Sequence, residues 1–515
     1  MGVSVLMKRS GAGRQEAPED SEVSAGRVAR VVAVVLPVLV MLTLGLWRLD
    51  RGGMWRDEAA TYQVARRSVP QIWHLLHHVD AVHGLYYLFM HLVLAPAPGE
   101  VALRLPSVVG AAATAGLVAA LGIRLCNPRV GLWAGLLYAV TPLTGHFAQE
   151  GRSYALVAAG ATAATLLLLR ALRGGRGWWA YGVTVAVTCL LHEFAVLLLL
   201  AHGTTLALTR MPWRVWWRWG VAAGATLLVL APLALVSHRQ SAQVAWLAVP
   251  NRKSVDHLMH AFLSQAQLVF VPYVFLIALA LWRPFPRRGE MNLVSVALPL
   301  LLVPPAVLIA VSRFRPLYDE RYVLYALAGA PLLAAAGAER LTGWVSRLPS
   351  AAAPRLVALA GVLAISLVLA VQFPLLRKDR DPAHRPDNLA AVSAAAGREL
   401  RPGDPVLYLP SLTRRSALAY PAGFRGVRDV ALKTSAIASG TLYGTEVGPR
   451  ELRSRLGRLD RVWLVCEPFV FRPNWHPDTS VATEETKRAV LAREFTLREQ
   501  IVRRGVTLRL YVRHR

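Results

Sequence analysis

Two adjacent carboxylates early in the chain are the first candidates for catalysis. Asp57 and Glu58 stand in the string Trp55-Arg56-Asp57-Glu58, directly after an apolar block and directly before a helical pattern. A carboxylate just outside an apolar block can remove the proton of an attacking hydroxyl group. We predict Asp57 as the general base and Glu58 as the second choice. The alternative is that both acids only stabilise the positive N-terminus of the following helix.

Polar residues at other ends of apolar blocks are candidates for binding substrate hydroxyl groups. Asp80 and His83 precede an aromatic stretch, Glu150 and Arg152 lie in the string Gln-Glu-Gly-Arg-Ser-Tyr, and His192 separates two apolar blocks. Ionisable residues beside membrane helices usually point toward the interior of the bundle. The alternatives are a loop pair at Asp80 and His83, and a surface salt bridge or snorkelling arginine at Glu150 and Arg152.

A cluster of arginines and tyrosines late in the apolar region predicts a bound anion. Guanidinium groups and tyrosine hydroxyls together suit a phosphate or diphosphate at a membrane surface. An internal ion pair with Asp319 or Glu320 is the alternative. The candidate phosphate ligands are Arg315, Tyr318, Arg321 and Tyr322.

The sequence gives no indication of a metal, a redox cofactor or a nucleic-acid partner. Cys126, Cys189 and Cys466 are too scattered for a disulfide framework or a thiolate metal site, and no carboxylate cluster is built to hold a divalent ion. The formal charge of +27 comes from arginines in short clusters between apolar blocks rather than along one face. We therefore expect no cofactor, no required metal and no nucleic acid.

Composition and patterning predict an α-helical polytopic membrane protein. The chain is 55% hydrophobic and 17% charged, and its apolar residues gather into blocks long enough to cross a bilayer. About eleven transmembrane helices are predicted. The blocks lie near residues 30 to 47, 104 to 123, 130 to 143, 154 to 172, 178 to 194, 195 to 209, 218 to 236, 265 to 282, 292 to 312, 322 to 339 and 354 to 374.

Arginine placement sets the expected orientation in the cytoplasmic membrane. Alternate loops are short and arginine-rich, as the positive-inside rule requires, so the N-terminus is expected in the cytoplasm. We predict a disordered cytoplasmic tail over 1–28, a transmembrane domain over 29–375 with a long first outer loop (48–103), and a soluble extracytoplasmic α/β domain over 376–515. In that last domain, strands are expected near 406–409, 461–466 and 507–512, and a helix near 484–493.

The order of these motifs resembles a known group of membrane enzymes. The string with Asp57 and Glu58, the Asp-x-x-His segment, Arg104-Leu105-Pro106-Ser107, the Gln-Glu-x-Arg-x-Tyr string and the Arg-Tyr pair at 321 and 322 follow one another over residues 30 to 375. This resembles GT-C glycosyltransferases of the protein O-mannosyltransferase and aminoarabinose transferase group, including actinobacterial mannosyltransferase-like proteins. One departure is His83-Gly84-Leu85, where many relatives have His-Pro-Pro.

The resemblance implies a donor, a reaction and partners. The donor would be a polyprenyl phosphate sugar, commonly mannose, and the transfer would be inverting. Asp57 would be the base, and Arg321 and Tyr322 would contact the lipid phosphate. The other partners would be membrane lipids and a protein, lipid or glycan acceptor that the sequence does not identify. The alternatives from other classes are a lipid or solute transporter and a membrane scaffold with a binding domain.

Overall fold

The computed structural model describes residues 19–282, 289–345, 353–385, 387–472, 475 and 481–514. Helices dominate its first three quarters and a small sheet lies in the last quarter. The α-helices before the sheet are α1 Glu19–Leu46, α2 Arg56–Ala65, α3 Val69–Leu76, α4 Gly84–Leu94, α5 Glu100–Leu125, α6 Pro128–Val140, α7 Pro142–Ala148, α8 Tyr154–Gly174, α9 Trp178–Leu191, α10 Leu197–Leu208, α11 Trp213–Arg239, α12 Arg252–Phe262, α13 Gln267–Leu281, α14 Leu293–Ser312, α15 Gly329–Val345, α16 Ala353–Asp379 and α17 Leu389–Glu399.

Each of the eleven predicted apolar blocks coincides with helical structure, but the number of full spans is smaller than predicted. Among the described residues, seven helices are long and apolar enough to cross a membrane, and an eighth span is formed if α12 and α13, which meet at 90°, count as one. The blocks near 130 to 143, 178 to 194 and 195 to 209 correspond to α6, α9 and α10, which have only 13, 14 and 12 residues. The chain is a multi-pass membrane protein, and a count of eleven is not confirmed.

The arginine-rich loops predicted to face the cytoplasm lie together at one end of the bundle. Arg173 donates a hydrogen bond to the backbone oxygen of Arg124 at 3.1 Å. Arg218 donates to the backbone oxygen of Gly175 at 3.2 Å, so a third loop joins the same end. These contacts agree with the predicted alternation of loops, while the side of the membrane stays a prediction.

The start of α1 lies inside the segment predicted as a disordered tail. The helix already includes residues 19–28, and residues 1–18 lie outside the described part of the chain. In the first outer loop, the helical pattern that follows Asp57 is α2, and the aromatic stretch after His83 is α4. The loop also contains α3, which the sequence analysis missed, and a 3-10 turn over Ala81–His83.

The C-terminal region is α/β, as predicted. Its predicted strands and helix are present as Pro405–Leu409, Arg461–Cys466, Val506–Arg513 and Val481–Glu494. Numbered in chain order, the elements are α18 Arg415–Ala419, α19 Pro449–Gly457, α20 Val481–Glu494, β1 Pro405–Leu409, β2 Arg428–Asp429, β3 Leu432–Thr434, β4 Thr445–Glu446, β5 Arg461–Cys466, β6 Phe495–Arg503 and β7 Val506–Arg513.

The main sheet of this region is mixed. Its strand order is β2-β1-β5-β7-β6, in which β1 is parallel to β2 and β5, and β7 is antiparallel to β5 and β6. Strand β5 is central and apolar, with five of its six residues buried. Helix α17 packs on one face of the sheet through Leu389 and Val392, which belong to the same buried cluster as Val406 and Trp463.

The first outer loop and the C-terminal region pack against each other at one end of the bundle. The backbone nitrogen of Met54 donates to the Tyr420 hydroxyl at 2.7 Å, and that hydroxyl donates to Glu100 at 2.6 Å. Arg56 pairs with the buried Asp387 at 3.1 Å. Both segments therefore lie on the same side of the bundle, opposite the arginine-rich loops.

Candidate active site

A large cavity opens between the first outer loop, the helix ends and the C-terminal region. Its volume is about 1730 Å³. Nine of the eleven predicted site residues line it, and Glu58 and Tyr318 do not. The nine are Asp57, Asp80, His83, Glu150, Arg152, His192, Arg315, Arg321 and Tyr322. The chain thus brings together residues that are up to 265 positions apart in the sequence, as is usual for a binding site.

The predicted base and the predicted phosphate ligand contact each other in this cavity. Arg321 Nη1 lies 2.9 Å from Asp57 Oδ2, and Arg321 Nε lies 3.3 Å from Asp319 Oδ2. The side chain of Asp57 is 24% exposed and that of Arg321 is 14% exposed. Asp57 stands in the first turn of α2. The position of Asp57 is therefore compatible with both predicted roles, as a general base and as an acid that stabilises the N-terminus of α2.

Aromatic rings surround the Arg321 guanidinium. Its central carbon lies 5.8 Å, 6.0 Å and 5.6 Å from the ring centroids of Tyr154, Trp246 and Tyr322. Such rings attract a cation and restrict its position. Arg321 is the second residue of the 3-10 segment Glu320–Ala328, which directly precedes α15. The Arg321 guanidinium is thus held in a position where it can bind a second anion in addition to Asp57.

Glu58 points away from the cavity into a buried ionic cluster. Its carboxylate accepts two hydrogen bonds from Arg104, at 2.8 and 2.9 Å, and one from the Gly151 backbone nitrogen at 3.0 Å. Arg385 adds a fourth contact at 3.3 Å. Burial alone would raise the pKa of Glu58, but Arg104 and Arg385 outweigh it and lower that pKa. Glu58 therefore holds the loop to the bundle and remains ionised.

The loop backbone completes the surroundings of Arg104. Its guanidinium also donates to the backbone oxygens of Leu49, Gly52 and Gly53 at 3.0 to 3.3 Å. Gly52 has a φ of +74°, a conformation that favours glycine, and a Cβ there would lie 2.8 Å from Arg385 Nε. The start of the first loop is thereby fixed directly before Asp57.

His83 and Arg152 form a hydrogen-bonded pair in the cavity wall. Arg152 donates to His83 Nε2 at 2.6 Å and to Thr61 Oγ1 at 3.3 Å. Burial and the neighbouring Arg152 hold the pKa of His83 well below its ordinary value, so the ring is neutral. Asp80, which has a φ of +58°, accepts a hydrogen bond from the Tyr87 hydroxyl at 2.8 Å. The side chains of Asp80 and His83 thus have different partners, and the two residues are joined only through the backbone, where the His83 nitrogen donates to the Asp80 oxygen at 2.9 Å.

His192 lies in an aromatic group next to Arg321. Its ring centroid is 4.8 Å from that of Tyr322 and 5.6 Å from that of Tyr154. Phe194 stacks on Tyr322 at 5.3 Å. These rings, mostly tilted against one another, form an aromatic cluster beside the guanidinium.

The remaining two predicted phosphate ligands lie further from the base. Arg315 lines the cavity and donates to His238 Nδ1 at 2.9 Å. The Tyr318 side chain does not line the cavity, and its buried hydroxyl has no hydrogen-bond partner in the described part of the chain. Tyr322, by contrast, lies directly beside Arg321.

One ionic group in the cavity was not found from the sequence. His146 Nδ1 lies 2.7 Å from Asp379 Oδ1, and His146 Nε2 lies 3.7 Å from Glu150 Oε2. Asp379 is the last residue of α16, and 233 positions separate it from His146. The sequence around His146 and Asp379 contains no motif that would predict a contact between the two side chains.

Unsatisfied polar atoms concentrate around the cavity. Buried polar groups are normally hydrogen-bonded, so a local excess without partners indicates a place where a ligand or water binds. In the described residues, many of the buried side-chain atoms without a partner belong to residues that line this cavity. They are His83 Nδ1, Glu150 Oε1, Arg152 Nε, His192 Nδ1, Arg385 Nε and Arg415 Nε.

Metal ligands are not grouped in the described residues. No set of three or more histidine, cysteine, aspartate or glutamate side chains has an arrangement that could hold a metal ion there. Several carboxylates of the cavity are instead paired with arginine or histidine, as at Asp57 and Asp379.

One protein family matches part of the chain. The sequence model of the family described as dolichyl-phosphate-mannose-protein mannosyltransferase matches residues 84–237. The matched stretch begins directly after His83 and contains the motif with Glu150 and Arg152, as well as His192. No curated protein sequence matches the chain.

Solved structures of membrane glycosyltransferases match nearly the whole chain. ArnT from Cupriavidus metallidurans bound to undecaprenyl phosphate is 15% identical, with a TM-score of 0.58 over 93% of this chain and 97% of that one. The same protein in the apo state gives 13% identity and a TM-score of 0.59 over 95% and 98%. The oligosaccharyltransferase of Archaeoglobus fulgidus, in complex with Zn and sulfate, gives 10% identity and a TM-score of 0.51 over 85% and 68%.

At these identities the likeness establishes the fold. The family match and the two kinds of solved structure agree with the order of motifs noted in the sequence. The predicted resemblance is confirmed: the chain has the GT-C fold of membrane glycosyltransferases that use polyprenyl-phosphate-linked sugars.

Proposed function

We propose that the chain transfers a sugar from a polyprenyl phosphate donor to a hydroxyl group of an acceptor, on the outer side of the cytoplasmic membrane. Mannose is the proposed sugar, because the matching family is described by dolichyl-phosphate-mannose. Undecaprenyl phosphate is bound in the ArnT structure, which supports a lipid of this class as the donor carrier.

The observation that carries the proposal is the pairing of Asp57 with Arg321 in the cavity. A base for the acceptor and a cation for the leaving phosphate are both needed, and they must lie on either side of the anomeric carbon. The two side chains are 2.9 Å apart without a substrate between them. A donor phosphate that binds Arg321 would compete for this contact and free Asp57 to accept a proton.

The proposed reaction is a single displacement. Asp57 removes the proton of the acceptor hydroxyl while the acceptor oxygen forms a bond to the anomeric carbon. The bond from that carbon to the phosphate oxygen breaks, and the electron pair leaves on the lipid phosphate. Arg321 stabilises the charge that develops there, with Tyr322 beside it. The configuration at the anomeric carbon is inverted.

The cavity has an apolar side that suits the lipid. Ala234, Val244, Trp246, Leu247 and Leu317 line it, and the Trp246 ring centroid lies 6.0 Å from the central carbon of the Arg321 guanidinium. Trp246 is 59% exposed, so this side is open. A polyprenyl chain entering here would leave its phosphate next to the guanidinium and its apolar tail in the bilayer.

Binding of undecaprenyl phosphate by Arg321 variants tests the proposed phosphate site without requiring turnover. We expect Arg321→Gln to weaken binding by about tenfold to a hundredfold, because a charge-assisted contact to phosphate is lost. Arg313→Gln is the matched control. Arg313 is a nearby arginine that donates to the backbone oxygen of Pro250 and does not line the cavity. Equal affinity of both variants and wild type would contradict the assignment.

A further inference from the structure

The cavity contains a second carboxylate that is held in place but incompletely satisfied. Glu150 is 4% exposed and lines the cavity, and its Oε1 has no hydrogen-bond partner among the described residues. Its other oxygen faces His146 Nε2 at 3.7 Å. A buried carboxylate oxygen without a donor is costly, and such atoms in a site are expected to meet a ligand or a proton.

His146 is in turn oriented by Asp379. The 2.7 Å contact to Nδ1 fixes the ring so that Nε2 points at Glu150. Burial alone would lower the pKa of His146, but Asp379 and Glu150 outweigh it and raise that pKa to about 9. The imidazole is therefore a cation at neutral pH. It donates to Asp379 and turns a positive edge toward Glu150.

We propose that Glu150 receives the proton of the acceptor hydroxyl after Asp57 has removed it, and that His146 and Asp379 position Glu150 for this step. The proposal rests on the proposed function above. Asp57 already has a charged partner, because Arg321 Nη1 lies 2.9 Å from its Oδ2. A second carboxylate in the same cavity, with an oxygen that no protein group satisfies, is a better final acceptor.

The charges around Glu150 agree with this role. Burial raises the pKa of Glu150 to about 7, Asp57 and Glu58 add to that rise, and His146 and Arg321 oppose it. His146 faces Asp379 on α16, Glu150, and Arg385. A proton acceptor works best when its pKa is near the operating pH. Glu150 meets that condition chiefly because it is buried.

The proton balance of the step is simple. The carboxylate of Glu150 becomes a neutral carboxylic acid, and Asp57 returns to its ionised state beside Arg321. Both carboxylates line the cavity, and its volume of about 1730 Å³ leaves room for water that can carry the proton. After the products leave, Glu150 releases its proton to solvent and the site is restored.

The test is the pH dependence of sugar transfer in four variants. Wild-type transfer is expected to fall as the pH drops through about 7, because Glu150 must be ionised to accept a proton. We expect Glu150→Gln to lose this acidic limb and to transfer about tenfold to a hundredfold more slowly at pH 8. Undecaprenyl phosphate affinity should stay within about twofold, since this side chain does not hold the phosphate.

Variants of the positioning residues His146 and Asp379 are expected to change the pH profile in a different way. In His146→Gln and Asp379→Asn the cation beside Glu150 is removed or weakened, so the acidic limb should move to higher pH by about one unit. Asp256→Asn is the matched control, because Asp256 also pairs with a histidine, His260, but does not line the cavity.

The outcomes separate this proposal from the proposed function. If wild type transfers no sugar from any donor, the proposed function fails. If wild type transfers sugar and Glu150→Gln keeps both its rate and its acidic limb, only the role of Glu150 is wrong. An unshifted limb in Asp379→Asn would overturn the positioning role. If Glu150→Gln does not fold, Glu150→Asp replaces it, because this variant keeps the carboxylate. It is expected to fold and to retain the acidic limb of the pH profile. A Glu150→Asp profile without that limb would overturn the proposal.

Discussion

Asp57→Asn is expected to lower sugar transfer by about a hundredfold to ten-thousandfold, the usual contribution of a general base. The amide cannot accept the proton of the acceptor hydroxyl, while its shape still fits the first turn of α2. Undecaprenyl phosphate should bind the variant at least as well as wild type, because Arg321 loses its anionic partner. Transfer rate and lipid affinity, measured on the same detergent-solubilised preparation, check both statements.

The control for Asp57 is a carboxylate in the same loop. Asp50 is exposed and does not line the cavity, so Asp50→Asn should transfer sugar at the wild-type rate. If Asp57→Asn transferred sugar as fast as Asp50→Asn, Asp57 would not be the base. If it lost lipid binding together with transfer, a structural role at the start of α2 would be the better explanation.

Glu58→Gln is expected to destabilise the protein by about 3 to 5 kcal/mol, the usual cost of removing one partner from a buried ion pair. The substitution leaves Arg104 and Arg385 without a compensating charge, and the side chains of Glu58 and Arg104 are fully buried. The free energy of unfolding, from a denaturant titration in detergent, measures the effect. Glu451→Gln, in an exposed pair with Arg455, should change it by less than about 1 kcal/mol.

This prediction also decides the role of the second-choice base. If Glu58 only holds the loop to the bundle, the folded fraction of Glu58→Gln should transfer sugar at close to the wild-type rate per molecule. A variant of unchanged stability that cannot transfer sugar would instead make Glu58 the proton acceptor, and its pairing with Arg104 would have to open during the reaction.

The helices of the bundle could be predicted because an apolar block long enough to cross a bilayer is compatible with few structures other than a helix. The number of spans could not, because α6, α9 and α10 are apolar but too short to cross alone, and their packing against longer neighbours decides where they lie. In the C-terminal region, β5 was found from its buried apolar run. Strand β6 was missed because most of its side chains are exposed and charged or polar.

The site was predictable to the extent that it consists of local strings. Asp57, the Glu150 and Arg152 string, and the Arg321 and Tyr322 pair each stood out by themselves, and the cavity brings them together. The contacts between strings were not predictable. The pairing of Glu58 with Arg104 and of His146 with Asp379 depends on how helices pack, and nothing in the residue spacing indicates either pair.

The most direct test of the central claim uses the purified protein in proteoliposomes with mannosyl polyprenyl phosphate, an envelope extract as acceptor, and Asp57→Asn in parallel. We expect wild type to release polyprenyl phosphate and to form a mannosylated product, and the variant to do neither. Intact donor that only moves from one leaflet to the other would contradict a glycosyltransferase and favour a lipid transporter.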